Sequence, residues 1–393
     1  MPHLAYVAFD VVPAPKGAAI HIQAFVQGLA QTFGHVTLMT VAPKPPKPAV
    51  AVPWPGVTAV ALPARGATLI HRVMDFRQQL YTQLAAQPRF DLIHIRSIYE
   101  GLPIAREKTR WCDRLVFEVN GLPSIELKYR YPDVEDDDEL LKKLIAQERI
   151  CCAAADRIIT PSPVTRDYLM QRGVAPEKIT VIPNGVDLAT FTYQPPRPFQ
   201  PEQDDAFDVL YFGTLSSWQG VNLLVRAIAM VQPQLPARLT LIGPASKGQR
   251  DALAKLAKKL GVGDRVYLCD PTTQADLVAH LHRSHCTVAP LTPCDRNLVQ
   301  GCCPLKVLEG MAAGTPVIAS DLPVVHAIAT PDHHYLPVKP GAVSAIAEAL
   351  IALSQAPTEA RHRATKARHH IEQHFTWAQA NTALIGAYRA LGL

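Results

Sequence analysis

The stretch Pro304–Asp321, PLKVLEGMAAGTPVIASD, contains the pattern of a helix followed by the pattern of a buried strand. Proline suits the first turn of a helix, and Leu305, Leu308 and Met311 recur on one helical face. Gly314 can end the helix, and the apolar run after it is typical of a strand covered on both faces. The stretch therefore predicts one helix–strand unit of a parallel sheet.

The same alternation of apolar runs and helical patterns continues on both sides of a proline-rich segment at 184–206. This alternation is typical of parallel sheets with helices on both faces. The segment at 184–206 has no long periodicity and predicts a linker. We therefore predict an α/β protein with two doubly wound, Rossmann-like sheets that face a cleft. The predicted strands cover residues 4–9, 36–40, 90–95, 114–119, 157–160, 179–182, 207–212, 238–242, 265–268, 286–290 and 316–319.

Length and composition agree with two domains and exclude several classes of protein. The chain has 393 residues, 48% hydrophobic and 19% charged, which excludes a disordered protein and exceeds the roughly 150 residues of one domain. A net charge of +5, with no basic arm, argues against nucleic acid as a partner. The eight cysteines include no CxxC pair, which favours reduced thiols and no metal site.

The opening run LAYVAFD is interpreted as a first strand and not as a signal peptide, because it has no basic leader. No run of about 18 apolar residues is present, so no membrane-spanning helix is predicted. We therefore expect a cytoplasmic protein.

The start of the helix in Pro304–Asp321 is a candidate anion site. Backbone amides between Cys303 and Lys306 would point out of the helix N-terminus, where anions are stabilised. Glu309 lies about one turn further along, so its carboxylate can meet a hydroxyl group beside that anion. The alternative for Glu309 is a solvated residue on the helix surface.

Four segments resemble glycosyltransferase family 4, whose members are retaining, two-domain enzymes that use nucleotide sugars. The resemblance implies a fold of the GT-B type. Residues 1–187 would bind the acceptor, residues 188–374 would bind a nucleoside diphosphate sugar, and a C-terminal helix at 375–393 would return to the first domain. The segments are PLKVLEGMAAGTPVIASDLPVV, ADRIITPSPVTRDYL, ITVIPNGVDLATF and the closing FTW…Y.

The resemblance implies a donor site with unusual electrostatics. The family's arginine and lysine beside the diphosphate correspond to Thr214 and Gln219, which carry no charge. Lys306 and Arg296 are the candidate replacement cations, although each is also compatible with a surface position. The donor-binding residues implied are Gly17, Gly213, Thr214, Gln219, Arg296, Cys303, Pro304, Leu305, Lys306 and Glu309.

Three further positions can be compared with the family pattern: one matches it and two depart from it. Glu309 matches the family glutamate that holds the nucleotide ribose, whereas the first glutamate of the usual pair corresponds to Gly301. The family's histidine near the reacting sugar corresponds to Asn120, which can hydrogen-bond but cannot carry a proton. Glu118 is a poor replacement, because it lies deeper on the same face of its strand. The catalytic residues implied are Asn120, Lys306 and Glu309.

The first domain is expected to hold the acceptor. The segment PAPKGAAIHIQAF resembles the family's glycine-rich first loop but keeps only Gly17, and His21 in the helix after it is interpreted as a packed or exposed side chain. Arg96 with Lys128 or Arg130 can hold a phosphorylated or carboxylated acceptor. Alternatively, these residues belong to a solvated basic stretch facing the acidic run at Glu135–Glu139. The predicted acceptor-binding residues are Lys16, His94, Arg96 and Asn120.

The leading hypothesis is a retaining glycosyltransferase that moves a sugar from a nucleoside diphosphate sugar to an acceptor hydroxyl, in glycoconjugate or polysaccharide biosynthesis. The acceptor would be a carbohydrate, a lipid-linked molecule or a small polyol, and contact with the inner membrane would be peripheral. No metal or other cofactor is expected. The alternatives are synthesis of a small soluble glycoside, with a sugar-phosphate or osmolyte acceptor, and a catalytically silent family member that binds nucleotide or sugar.

Overall fold

The computed structural model describes residues 1–14, 16–44 and 54–393. Pro15, in the segment that resembles the glycine-rich loop, therefore lies outside the described residues. The chain forms two compact units. One contains Met1–Pro183 together with Trp377–Leu393, and the other contains Asn184–Thr376.

The first unit is built on a seven-stranded parallel sheet in the order β3-β2-β1-β4-β5-β6-β7. The chain begins in the middle of the sheet, extends to one edge and then crosses to β4, which makes the sheet doubly wound. The strands are β1 (Leu4–Val7), β2 (Val36–Val41), β3 (Val57–Leu62), β4 (Phe90–Ile95), β5 (Cys112–Glu118), β6 (Arg157–Thr160) and β7 (Ile179–Val181). The helices are α1 (Gly17–Phe33), α2 (Leu69–Ala85), α3 (Ile98–Arg106), α4 (Lys108–Trp111), α5 (Pro123–Glu126), α6 (Asp138–Ala154) and α7 (Pro163–Gln171).

The second unit repeats this plan with six parallel strands in the order β10-β9-β8-β11-β12-β13. The strands are β8 (Phe207–Phe212), β9 (Ala237–Ile242), β10 (Val266–Cys269), β11 (Cys286–Ala289), β12 (Val317–Ser320) and β13 (Leu336–Val338). The helices are α8 (Val221–Val231), α9 (Lys247–Lys259), α10 (Gln274–Arg283), α11 (Leu305–Ala313), α12 (Pro323–His326), α13 (Val343–Gln355) and α14 (Pro357–His374), with a π-helical turn at Arg296–Gln300.

The last helix, α15 (Trp377–Arg389), belongs to the first unit and packs on α1. Its Leu384 and Tyr388 are buried in one cluster with Ile22 and Phe25 of α1. This cluster covers one face of the first sheet, while residues from α2, α3 and α6 contribute to the core on the other face.

The predicted pair of doubly wound parallel sheets is confirmed, and every predicted strand is present with its ends within two residues. The pattern missed β3 and β13, which are edge strands. β3 is partly exposed along most of its length, and β13 has only three residues, so neither forms the continuous buried run that marks the inner strands. Residues 184–206 form no helix or strand apart from a bridge between Val186 and Thr376.

Two chemical expectations can also be compared with the structure. All eight cysteines are free thiols. In the described part of the chain, no helix has both the length and the apolar character needed to cross a membrane.

The helix in Pro304–Asp321 begins and ends at the residues that the sequence suggests. Pro304 occupies the N-cap position of α11, and Gly314 ends the helix in the left-handed region, with φ of 83°. A Cβ atom added to Gly314 would overlap the carbonyl oxygen of Gln194 and lie 2.7 Å from the ring of Tyr193. Gly314 therefore has both a conformational and a steric reason to be glycine.

We expect Gly314→Ala to lower the free energy of unfolding by about 2 kcal/mol or more, because it adds left-handed strain to a steric overlap. The matched control is Gly248→Ala, in α9 of the same unit, where no atom lies near the added methyl group. Urea denaturation should show this control to be neutral or stabilising by up to about 1 kcal/mol. Equal destabilisation by the two changes would contradict the requirement for glycine at position 314.

Candidate active site

In the second unit, the candidate site lies where β8 and β11 end and α11 begins. The loop after β8 runs from Gly213 to Gly220, whose φ of 71° is left-handed. A Cβ atom at Gly220 would overlap the carbonyl oxygen of Pro290, which follows β11. The carboxyl ends of these strands are the usual place for a ligand in an open parallel sheet.

Lys306, in the first turn of α11, is buried beneath this loop, with 8% of its surface exposed. Its Nζ donates hydrogen bonds to the hydroxyl oxygen of Tyr211, at 2.8 Å, and to Oε1 of Gln219. Burial disfavours the ammonium and lowers the pKa of Lys306 to about 7, although nearby Glu309 opposes this shift. Among the described residues, no carboxylate forms an ion pair with Lys306.

Glu309 lies one turn after Lys306 and is also 8% exposed. Burial raises the pKa of its carboxyl group to about 7, and Lys306 is the neighbour that lowers it. Its carboxylate forms no hydrogen bond with any residue that the structure describes. A buried carboxylate without a partner carries a desolvation cost that a ligand hydroxyl can offset.

Other predicted donor residues of the second unit lie in the loop after β8 and in the residues before α11. The guanidinium of Arg296 lies 3.8 Å from the ring centre of Trp218, in the loop after β8. Cys303 accepts hydrogen bonds from Asn184 at its carbonyl oxygen, 2.7 Å, and at its Sγ, 3.3 Å, which fixes the turn before α11. Thr214 is exposed, and its carbonyl oxygen accepts a hydrogen bond from Tyr211.

In the first unit, polar side chains converge at the carboxyl ends of β1, β4 and β5. Glu118, the last residue of β5, is completely buried and accepts hydrogen bonds from several donors. These donors are Tyr6 Oη at 2.6 Å, His94 Nε2 at 2.9 Å, Arg96 Nε at 3.2 Å and Asn120 Nδ2. In addition, His21 Nε2 lies 2.7 Å from Oε1 of Glu118. Although burial opposes ionisation, His21 and Arg96 hold the pKa of Glu118 well below its ordinary value.

The predicted acceptor residues are linked through Glu118. Arg96 binds Glu118 through Nε and Asp10 through its terminal nitrogen, at 3.3 Å. Asp10 in turn pairs with Lys16 at 2.5 Å. The chain of contacts therefore joins Lys16, Asp10, Arg96, Glu118 and Asn120 in one cluster.

His94 occupies a different position from the one expected of an acceptor-binding residue. It is completely buried, its Nε2 donates to Glu118, and its Nδ1 lies 2.7 Å from the hydroxyl of Tyr388. Since a carboxylate can only accept, Nε2 carries the proton and Nδ1 accepts from Tyr388. His94 thus lies behind Glu118 and Arg96.

The remaining predicted residues are partly exposed. Gly17 is the first residue of α1, directly after Lys16, and Asn120 follows β5. Lys128 pairs with Glu135 at 3.0 Å, as the alternative of a solvated basic stretch facing an acidic run expected.

Sequence reasoning missed several residues of these clusters. Tyr211 gives no signal of its own, because an aromatic residue in an apolar strand is usually core. His21 was assigned no role, and its contact with Glu118 joins α1 to β5, which no local pattern reveals. Asp10 is the polar residue that ends the first apolar run, and this position is the one sequence feature that indicates a place at the end of a strand.

Comparison with known proteins identifies the class. The model of Glycosyltransferase Family 4 matches residues 15–190, and that of Glycosyl transferases group 1 matches residues 206–356. The D-inositol 3-phosphate glycosyltransferase of Pseudarthrobacter chlorophenolicus is 26% identical over 323 residues, which cover 77% of this chain and 74% of that protein.

Two solved structures show the same fold. Sucrose-phosphate synthase from Thermosynechococcus elongatus has a TM-score of 0.83 at 23% identity, covering 100% of this chain and 99% of that one. Anabaena HepE in complex with UDP has a TM-score of 0.73 at 17% identity, covering 99% and 100%. The chain is a glycosyltransferase, with a Glycosyltransferase Family 4 domain at residues 15–190 and a Glycosyl transferases group 1 domain at residues 206–356.

We expect Glu118→Gln to lower the free energy of unfolding by about 3 kcal/mol at pH 7, because buried Arg96 loses a counter-charge. The wild-type carboxylate stabilises the fold above its unfolded pKa of about 4.5, so the difference should shrink as pH falls below that value. Glu139→Gln, on the exposed side of α6, is the control and should change the free energy by less than about 0.5 kcal/mol. Urea denaturation at several pH values measures both, and equal effects would contradict the role of Glu118.

Proposed function

We propose that the protein is a retaining glycosyltransferase that transfers a sugar from a nucleoside diphosphate sugar to the hydroxyl of a small phosphorylated acceptor. The observation that carries this proposal is the pair formed by Lys306 and Glu309 on α11. Within the part of the chain that the structure describes, one is a buried cation with no carboxylate ion pair, and the other is a buried carboxylate with no hydrogen bond. A ligand that offers an anion beside a diol suits both.

The diphosphate is assigned to the start of α11. Backbone N–H groups in the first turn are free to point at an anion, and the helix dipole adds about half a positive charge. Lys306 supplies a full charge when protonated, in place of the arginine and lysine that Thr214 and Gln219 replace. Glu309 accepts hydrogen bonds from the ribose hydroxyls. The UDP complex of HepE supports this class of ligand.

The reaction follows from this placement. The bond between the anomeric carbon and the phosphate oxygen breaks, and the α11 amides with Lys306 stabilise the charge on the departing diphosphate. The acceptor oxygen bonds to the anomeric carbon on the same face, and its proton passes to an oxygen of the leaving diphosphate. Asn120 cannot take that proton and is assigned to positioning a hydroxyl.

The acceptor is assigned to the first unit, near the cluster around Arg96. Lys16 and Arg96 lie together there, each paired with Asp10. A phosphate group can compete for these cations. The names of the curated relative, D-inositol 3-phosphate glycosyltransferase, and of sucrose-phosphate synthase both include a phosphorylated small molecule.

One surface feature favours a second candidate, a lipid-linked acceptor. Ile70 and Met74 lie one turn apart on α2 and are 64% and 58% exposed. Paired exposed apolar side chains can enter a lipid headgroup layer. Transfer assays with UDP-sugars should separate the two acceptor classes. Turnover of soluble sugar phosphates in detergent-free buffer supports the first, and turnover only with lipid-linked sugars in vesicles supports the second.

We expect Lys306→Met to weaken binding of both UDP and inorganic pyrophosphate by roughly 10- to 100-fold, because a charge-assisted contact to the diphosphate is lost. Glu309→Gln should weaken UDP more than pyrophosphate, since its carboxylate is assigned to the ribose. Titration calorimetry measures all four affinities.

The matched control is Lys258→Met, an exposed lysine on α9 of the same unit, which should leave both affinities unchanged. Chelator should also leave them unchanged if Lys306 supplies the charge. Binding abolished by chelator but indifferent to Lys306→Met would mean that a divalent metal neutralises the diphosphate.

A further inference from the structure

Tyr211 links the loop after β8 to the buried lysine of α11. Its side chain is completely buried, yet its hydroxyl is placed beside two polar groups from different elements. Building on the proposed function, we propose that Tyr211 is a positioning residue that holds Lys306 Nζ in place for the donor diphosphate.

The hydrogen bonds at the hydroxyl have a fixed direction. Tyr211 Oη lies 2.5 Å from the carbonyl oxygen of Thr214, which can only accept, so the hydroxyl proton is donated there. The oxygen of Tyr211 is therefore left as an acceptor, and Lys306 Nζ donates to it at 2.8 Å. The tyrosine thus fixes the lysine to the backbone of the loop.

The ammonium has three N–H donors, and two of them are used. One points to Tyr211 and one to Oε1 of Gln219. The third N–H of Lys306 has no hydrogen-bond partner among the described residues. With two donors held from fixed directions, the third has one remaining direction and is available to a ligand oxygen.

The ring of Tyr211 adds a second constraint. Lys306 Nζ lies 4.0 Å from the ring centre, a distance at which the aromatic face attracts a cation. On the other side, a Cβ atom added to Gly213 would lie 3.3 Å from Nζ, so the loop backbone closes over the ammonium. The lysine is held between the ring and the loop.

Several charged or titratable groups face Lys306. Burial and Arg296 disfavour the ammonium, whereas Cys302 and Glu309 favour it, and the pKa of Lys306 is about 7 as a result. The hydroxyl oxygen of Tyr211 accepts from the charged form and so favours it too. Removing that oxygen should lower the pKa of Lys306 further, so that the lysine loses its charge at a lower pH.

The test is Tyr211→Phe, which removes the hydroxyl and keeps the ring. The matched control is Tyr335→Phe in the same unit, because Tyr335 is equally buried and its hydroxyl has no hydrogen-bond partner among the described residues. UDP and inorganic pyrophosphate are titrated calorimetrically into each protein between pH 6 and pH 9, and urea denaturation checks that each variant is folded.

We expect Tyr211→Phe to weaken UDP and pyrophosphate equally, by roughly tenfold at pH 7. The pH above which affinity falls should also move lower than in the wild type. A variant that is only less stable would not move this midpoint, and Tyr335→Phe should match the wild type in affinity and midpoint.

Three results would overturn the inference, and they are distinguishable. Unchanged affinity and midpoint in folded Tyr211→Phe would remove the positioning role while leaving the proposed function intact. Weakening of UDP but not pyrophosphate would place the effect on the nucleoside and not on Lys306. Failure of the wild-type protein to bind UDP, GDP, ADP or pyrophosphate would overturn the proposed function together with this inference.

Discussion

A buried ammonium that pairs with no carboxylate of the described residues is the feature on which the candidate donor site depends. Lys306 is enclosed by Tyr211, Gln219 and the backbone at Gly213, all of which are neutral. Burial of a charge is costly unless an opposite charge or hydrogen bonds compensate for it, and neutral acceptors compensate only in part. An anionic ligand at the start of α11 would complete the compensation. The free protein is thus prepared for a ligand that brings its own negative charge.

The buried carboxylate of Glu118, in the first unit, has many polar partners within the protein, unlike the ammonium of Lys306. Glu118 is surrounded by polar groups from β1, α1, β4 and the segments that follow β4 and β5. A buried anion with this many partners is suited to fixing its neighbours in place. Among these neighbours, Asn120 is partly exposed, whereas Arg96 is as buried as Lys306. The two units therefore differ in chemistry. Among the described residues, the buried Lys306 of the second unit has only neutral hydrogen-bond partners, whereas the buried Glu118 of the first unit contacts several hydrogen-bond donors.

How far the sequence predicts the molecule depends on whether the signal is local. The inner strands and α11 follow from runs of consecutive residues, and Pro304, Gly314, Lys306 and Glu309 could be identified because they lie within one helix. Tyr211 could not be identified in this way, since its proposed function depends on a lysine far away in the sequence. The apolar residues around it in β8 indicate a core position instead. The depth of Glu118 on its strand followed from alternation, but its partners come from separate elements and emerge only when the sheet order is known. His94 lies near the carboxyl end of its predicted strand, which favours a place at the acceptor, whereas packing of α15 puts Tyr388 against its side chain.

The diphosphate is proposed to supply the counter-charge of Lys306, and the number of protons taken up when UDP binds measures this. With a pKa of about 7, Lys306 is only about one-tenth protonated at pH 8 in the free protein. Calorimetric titration of UDP at pH 8 in two buffers of different ionisation enthalpy measures the protons exchanged. If Lys306 becomes protonated on binding, we expect uptake of about one proton per UDP bound and loss of this uptake in Lys306→Met. Binding without proton uptake, or uptake that persists in Lys306→Met, would contradict this proposal.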